Sequence, residues 1–355
     1  MGNKRKVLFF LPSNTGGAQR MTITIAKMLP KERYEVKFVI VHRSLGTIVN
    51  FIPSEYEIIQ IPVHNIYCAG TMRIMRVIKR EKPEVVFGSL LYLNARLIVA
   101  AKLCGCKSIV RNNIDISRSK SKISRLLVKA TYRWANMVIA QQEEMHDEII
   151  AYTGLSENRV VTLHNPIDKE YIDKKAMAES PYTDDGNCIR YVWVGRFSIE
   201  KGQDLVIKAI EIVKSTIPNA HLYLVGQYDK DSAYCKRIFQ YVESHQLFDI
   251  VHFVGFDTNP YRWVKYCHCY VMPSRLEGLP NSLIDAMYLG KPVVATHCIP
   301  MIERIVRNGY NGILVETENV ASIAKGMIEA LQLKNFSMTY KSATNEDFVR
   351  LFDAT

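Results

Sequence analysis

Short apolar runs rich in β-branched residues recur along the first half of the chain, at Val7–Leu11, Val36–Val41, Val85–Phe87, Ser108–Val110, Met137–Ala140 and Val160–Leu163. Stretches with helical spacing of apolar residues lie between them. Runs that are apolar at successive positions, rather than at alternate ones, suit strands covered on both faces, as in parallel α/β sheets. A polar stretch from Lys174 to Asn187, with Ser180-Pro181 and Asp184-Asp185-Gly186, interrupts the rhythm and reads as a linker. The rhythm resumes at Ile189–Val194, His221–Val225, Val251–Val254, Tyr270–Met272, Val293–Ala295 and Ile313–Val315, with helical segments such as Leu205–Lys214 between. The pattern predicts an α/β chain of two doubly wound, Rossmann-like domains. Residues 1–178 form the first and 188–338 the second, and a helix within 340–355 returns to the first. Open sheets of this kind bind ligands at the carboxyl ends of their strands, so the expected site is a central cleft that the two domains face.

A length of 355 residues, 48% hydrophobic and 23% charged, is enough for two cores. No apolar run reaches the roughly 18 residues of a spanning helix, and residues 1–11 lack the features of a signal peptide, which points to a cytoplasmic address. The eight cysteines, including Cys104/Cys106 and Cys267/Cys269, do not complete a zinc pattern and read as reduced thiols. Charge is uneven. Residues 1–180 carry 28 Lys and Arg against 16 Asp and Glu, a net of +12, and the remainder 18 against 19, a net of −1. The basic excess is densest near Arg118, Lys120, Lys122, Arg125, Lys129 and Arg133, interleaved with Ile123, Leu126, Leu127, Val128 and Trp134. That is the pattern of a basic amphipathic helix, which suits an anionic membrane surface and equally suits a solvated helix face. The chain lacks an aromatic and basic platform for nucleic acid, so no nucleic-acid partner is expected.

The richest chemistry lies in Met272-Pro-Ser-Arg-Leu-Glu-Gly-Leu-Pro-Asn-Ser-Leu-Ile-Asp285 and the residues up to Thr296. A strand ends, a Gly/Pro loop follows, and Asn281 or Ser282 caps a helix that Gly290 and Pro292 terminate. Free amides at Leu279, Pro280, Asn281, Ser282 and Leu283 then favour a diphosphate. Glu277 precedes them, and Asp285, one turn inside the helix, can accept ribose hydroxyls. After the first strand of the second domain, Val194-Gly-Arg-Phe-Ser-Ile-Glu-Lys-Gly202 brings the cations Arg196 and Lys201 to a strand end. In the first domain, Ser13-Asn-Thr-Gly-Gly-Ala-Gln-Arg20 is a loop in which Gly16 and Gly17 allow close approach of a phosphate or sugar. It lacks the G-x-G-x-x-G spacing of a dinucleotide site. Asp229-Lys230-Asp231 could hold a divalent metal in another setting. Here two cations already serve the phosphates, so the run reads as a solvated loop and no metal or other cofactor is expected.

These residues resemble the family 4 glycosyltransferases, which have the GT-B fold. Glu277 and Asp285 match the family's E-x7-E motif, with Asp for the second Glu. Arg196 and Lys201 match its G-R-x-x-x-x-K-G element, and Gly16 to Arg20 its G-G-A-E-R loop, with Gln19 in place of Glu. The resemblance implies a donor site for a nucleoside-diphosphate sugar, with Glu277 on the sugar hydroxyls, Asp285 on the ribose, and Arg196 and Lys201 on the phosphates. Transfer would retain the anomeric configuration, the departing diphosphate helping to deprotonate the acceptor. Gly255 and Phe256 are placed as nucleobase contacts. Where many members carry a His facing the donor sugar this chain has Arg111-Asn112-Asn113, so Arg111 or Asn112 is expected to face the ligand, or else to pack or meet the acceptor. His164 to Asp168 looks like the family's N-P turn, for which a purely geometric role reads better. The basic first half and the resemblance together imply a lipid-linked saccharide acceptor of surface polysaccharide assembly, on the inner face of the cytoplasmic membrane. A GT-B nucleotide-sugar epimerase and a non-catalytic nucleotide-sugar binder remain as alternatives.

Overall fold

The computed structural model describes residues 4–63, 66–119, 121–183, 186–334 and 337–355, with side chains of the helix Ile66–Glu81 from residue 70 onward. The N-terminal residues 1–3, Lys120, Asp184 and Asp185 lie outside the described residues. The chain forms two compact units, Met1–Ile167 with Lys341–Thr355, and Asp168–Tyr340.

In the first unit, β1 (Arg5–Leu11), β2 (Tyr34–Val41), β3 (Glu57–Ile61), β4 (Val85–Gly88), β5 (Lys107–Arg111), β6 (Met137–Ala140) and β7 (Val160–Thr162) form one parallel sheet. Its order is β3-β2-β1-β4-β5-β6-β7. β1 is apolar on both sides because both faces are covered. Val7, Phe9 and Leu11 join Phe38, Ile40 and Phe87 on one face, while Leu8 and Phe10 join Val39, Val86, Leu93 and Leu97 on the other. The helix Asn345–Ala354 completes the first of these faces. Thr344 and Asp347 form a capping box at its start, and Phe348, Leu351 and Phe352 enter the core, with Phe352 stacked 6.0 Å from Phe9. Arg5 Nη1 donates to Phe352 O at 2.6 Å, and Arg33 and Tyr34 both donate to Asp353. β3 is absent from the expected strands. It is an edge strand whose Glu57 and Gln60 face solvent, so only Ile59 and Ile61 are buried, and the apolar run that marks the inner strands is broken.

In the second unit, β8 (Ile189–Val194), β9 (Ala220–Val225), β10 (Val251–Gly255), β11 (Cys269–Met272), β12 (Val293–Thr296) and β13 (Gly312–Val315) form a parallel sheet in the order β10-β9-β8-β11-β12-β13. Tyr191 and Trp193 of β8 pack with Val206 and Ile210 of the helix Gln203–Thr216 and with Ile323 and Met327 of the helix Val320–Ala330. Burying a ring as large as Trp193 contributes roughly 3–5 kcal/mol, by the usual cost of its truncation. The strand order reverses at β8, so the crevice of this unit lies beyond the carboxyl ends of β8 and β11.

The polar stretch read as a linker lies within the second unit. The helix Lys169–Ala176 is pinned by Tyr288 Oη to Asp173 (2.8 Å) and by Asn259 Nδ2 to Lys175 O (2.9 Å). Tyr182 Oη donates to Trp263 O at 2.7 Å and meets Tyr223 edge-on. Polarity marked this segment as a linker, but Tyr182 and the bonds from Tyr288 and Asn259 hold it. Among the described residues no helix is long and apolar enough to cross a membrane.

Candidate functional site

Because β11 pairs with β8, with Cys269 opposite Tyr191 and Tyr270 opposite Val192, the loops after them emerge side by side. Gly202 ends the turn Ile199–Lys201 at φ +68°, and a Cβ there would stand 2.1 Å from Pro273 O. Only glycine lets the two loops approach so closely. Glu200 O accepts from Arg275 N (2.8 Å) and Leu276 N (3.2 Å), which joins them further. The result brings together the two residues that the sequence set 76 positions apart: Lys201 Nζ donates to Glu277 Oε1 and Oε2, each at 2.7 Å. Ser274 Oγ donates to Glu277 Oε1 at 2.7 Å, and Ser274 O accepts from buried Thr296 at 2.5 Å. The Glu277 side chain is 6% exposed and that of Lys201 is 33% exposed. A buried carboxylate is held against the outer end of a half-exposed ammonium, the arrangement that suits an anionic ligand entering from solvent. Cys298 lies beside this pair: burial pushes its thiol up to about 11, the Glu277 carboxylate adds to the shift, and Lys201 opposes it.

Asp285 lies one turn inside the helix Asn281–Tyr288. Burial pushes the Tyr270 phenol up, its hydrogen bond to Ser282 Oγ (2.7 Å) works the other way, and the charges of Glu277 and Asp285 both add to the rise. Arg196 is exposed just beyond β8, its backbone held by Gln203 Nε2 donating to Arg196 O at 3.0 Å. Gly255 closes β10 at φ +80°, after a slip of register beyond Phe253, and Phe256 beyond it is 54% exposed. Two strand spacings, about 10 Å, separate β10 from β8.

The helix start differs from its expected form. Pro280 occupies the cap position, no side chain caps the helix, and Ser282 Oγ accepts from Tyr270 instead. Pro280 has no N–H, Asn281 N donates to Leu279 O (3.0 Å) and Leu283 N to Pro280 O (3.1 Å). Leu279 and Pro280 are buried. Three of the five positions expected to offer free amides are thus unable to do so, because the loop turns too tightly before the helix.

In the first unit, Gly17 opens the helix Gly17–Lys27, and Gln19 is buried with Nε2 towards Asn14 Oδ1 (3.4 Å). Arg111 and Asn112, expected to face a ligand, are instead 2% and 0% exposed. Arg111 donates to Ser89 Oγ (3.0 Å) and to Asn165 Oδ1. Asn112 Oδ1 accepts from Tyr132 Oη (2.7 Å), whose oxygen also accepts from Asn94 Nδ2 (3.1 Å). Both are buried because β5 is flanked by strands on both sides and its end is covered by the segments after β4, β6 and β7. Asp168 accepts from Tyr171 N at 3.3 Å and caps the next helix, and the His164 ring meets Gln141 O at 2.8 Å, both local structural uses. Asp229 Oδ1 accepts from Asp231 N at 3.0 Å and the Asp231 side chain is 93% exposed, so that run is a solvated turn. Sequence reasoning passed over Ser274, Thr296, Arg275 and Asp204. Ser274 and Arg275, three and two residues before Glu277 in the same loop, carried a local signal.

The family model described as Glycosyl transferases group 1 matches residues 181–347, and that described as Glycosyltransferase Family 4 matches residues 15–171. A Methanocaldococcus jannaschii protein named an uncharacterized glycosyltransferase is 26% identical over 243 residues, 64% of this chain and 59% of its own length, so the chain spans less than two thirds of that relative. A Campylobacter jejuni protein is 21% identical over 94% of this chain and 92% of its own. It is named N-acetylgalactosamine-N,N'-diacetylbacillosaminyl-diphospho-undecaprenol 4-alpha-N-acetylgalactosaminyltransferase. The Anabaena protein HepE, crystallised with UDP and glucose, superposes with a TM-score of 0.79 at 18% identity, covering 99% of this chain and all of that one. Nothing in these comparisons favours an epimerase.

Proposed function

The chain belongs to the family 4 (group 1) glycosyltransferases and has their GT-B fold, and from that premise we propose that it moves a hexosyl or N-acetylhexosaminyl group from a nucleoside-diphosphate sugar to a lipid-linked saccharide, with retention at the anomeric carbon. The observation that carries this reading is the bidentate Lys201–Glu277 pair at the strand reversal of the second unit. Lys201 and Arg196 neutralise the departing diphosphate, where negative charge grows in the transition state. Glu277, already fixed by Lys201 and Ser274, accepts from sugar hydroxyls and orients the ring rather than attacking it. Asp285 takes the ribose hydroxyls, Gly255 and Phe256 flank the base, and a diphosphate oxygen takes the acceptor proton on the face it leaves. No metal is needed for charge neutralisation in this scheme.

The acceptor reading is supported by the diphospho-undecaprenol in the name of the Campylobacter relative and by one surface of the first unit. The helix Lys122–Thr131 exposes Ile123 and Leu126, at 64% and 67%, with Trp134 beyond it, among Lys122, Lys129 and Arg133. Apolar side chains turned outward among cations suit an anionic bilayer, so the enzyme works peripherally on the inner face of the cytoplasmic membrane in surface polysaccharide assembly. The test is a panel of nucleotide sugars incubated with the protein and a polyprenyl-diphosphate saccharide. Nucleoside diphosphate release from one donor and an α-linked product from an α-configured donor are expected. Inverted configuration overturns retention, and absence of release with every donor overturns the activity.

A further inference from the structure

Arg275 lies two residues before Glu277 and has no part in the scheme above. Its guanidinium meets Asp204 as a fork, Nη1 to Oδ1 at 2.7 Å and Nη2 to Oδ2 at 2.8 Å. Nη1 also donates to Ile199 O at 2.8 Å, and Nε and Nη2 donate to Glu318. With Arg275 N on Glu200 O, the residue touches positions 199, 200 and 204, bracketing Lys201 on both sides. The partners are themselves held. Tyr234 Oη donates to Asp204 Oδ1 at 2.7 Å, and Glu318 stands at φ +62°, a left-handed conformation that side chains disfavour, with its carboxylate on Arg275. The Arg275 side chain is 19% exposed, which shields the fork from solvent.

We infer that Arg275 is a positioning residue for the donor diphosphate: it clamps the turn Ile199–Gly202 so that the Lys201 ammonium arrives at Glu277, and phosphate affinity depends on Arg275 only through Lys201. The inference rests on the donor-site reading above. The fork, not the charge alone, makes the clamp, since a lysine offers no planar pair of donors to Asp204 and Ile199 together.

The experiment measures UDP binding by calorimetry for the full chain, with Arg275→Ala and Arg275→Lys each placed in the wild-type and Lys201→Ala backgrounds. Asp204→Asn, which opens the same fork from the other side with a smaller change, stands in should Arg275→Ala fail to fold. Both Arg275 variants and Asp204→Asn are expected to weaken UDP about tenfold in the wild-type background and less than twofold where Lys201 is already absent, the signature of action through one partner. Equal losses in the two backgrounds, or full recovery by Arg275→Lys, overturn the inference. Limited trypsin digestion, read by mass spectrometry for cleavage after Lys201, reports the clamp without any ligand: several-fold faster cleavage in Arg275→Ala and Asp204→Asn supports it, and wild-type rates overturn it. If the wild type binds no nucleoside diphosphate, the donor-site reading fails while the digestion still decides whether the clamp exists.

Discussion

The two units arrange their strands alike, with one further strand in the first, yet the loops at their strand ends are built from different chemistry. Beyond β8 and β11 the second unit sets charge against charge: Lys201 on Glu277, Arg275 on Asp204 and Glu318. Beyond β4 to β7 the first unit sets amides and hydroxyls together: Asn94, Tyr132, Asn112 and Gln141 are linked in one network, and the buried guanidinium of Arg111 meets Ser89 and Asn165. A shared topology fixes where loops meet. It leaves open whether they meet as a buried lattice of mostly neutral groups or as a set of ionic groups that a charged ligand can compete for.

The contrast can be broken most sharply at the ionic end. Lys201→Ala and Glu277→Ala are each expected to cut turnover about 10²- to 10³-fold in a chain that still folds; wild-type rates in either would remove the site assignment. The neutral end should answer in stability instead. Asn94→Ala strands Leu90 N and one acceptor on Tyr132, and urea titration is expected to show a loss of about 2 kcal/mol. Replacing Lys122, Lys129 and Arg133 together with Glu should abolish flotation with anionic vesicles, each cation contributing about 1 kcal/mol; unaltered flotation would detach the membrane from this helix.

Acidification separates the units more finely. Burial works to raise the Asp204 carboxyl, but hydrogen bonds from Arg275 and Tyr234 outweigh it and hold the group below its ordinary value. A carboxyl lowered in the folded state adds stability that is complete above its unfolded pKa and is lost as pH falls through the folded one. The melting difference between wild type and Asp204→Asn should therefore be constant from about pH 7 to 5 and shrink below about pH 4. The smallest effect expected is none at all, an unchanged transfer rate when a chelator is added; a rate that collapses with chelator would reinstate a metal.

Much of this molecule was readable along the chain. Inner strands are apolar at every position because helices cover both sheet faces, so Val7–Leu11 and Val293–Ala295 stood out, whereas β3, half solvated through Glu57 and Gln60, did not. The meeting of Lys201 with Glu277 could be anticipated because both sit in short motifs directly after strands that pair side by side. The Arg275–Asp204 fork could not, since its partners lie 71 residues apart and each alone is an ordinary surface charge. The helix start at Pro280 was misread for a related reason: whether Ser282 caps depends on Tyr270, which only the folded sheet places above it.

The helix Asn345–Ala354 has a consequence for how the chain acquires its shape during synthesis. The ribosome delivers the seven strands of the first sheet before the second unit, but the apolar plug Phe348, Leu351 and Phe352 only after it. The second unit can close while the first still carries an open greasy slot along β1, and that slot is the surface a chaperone or a neighbouring nascent chain would meet until this helix is made.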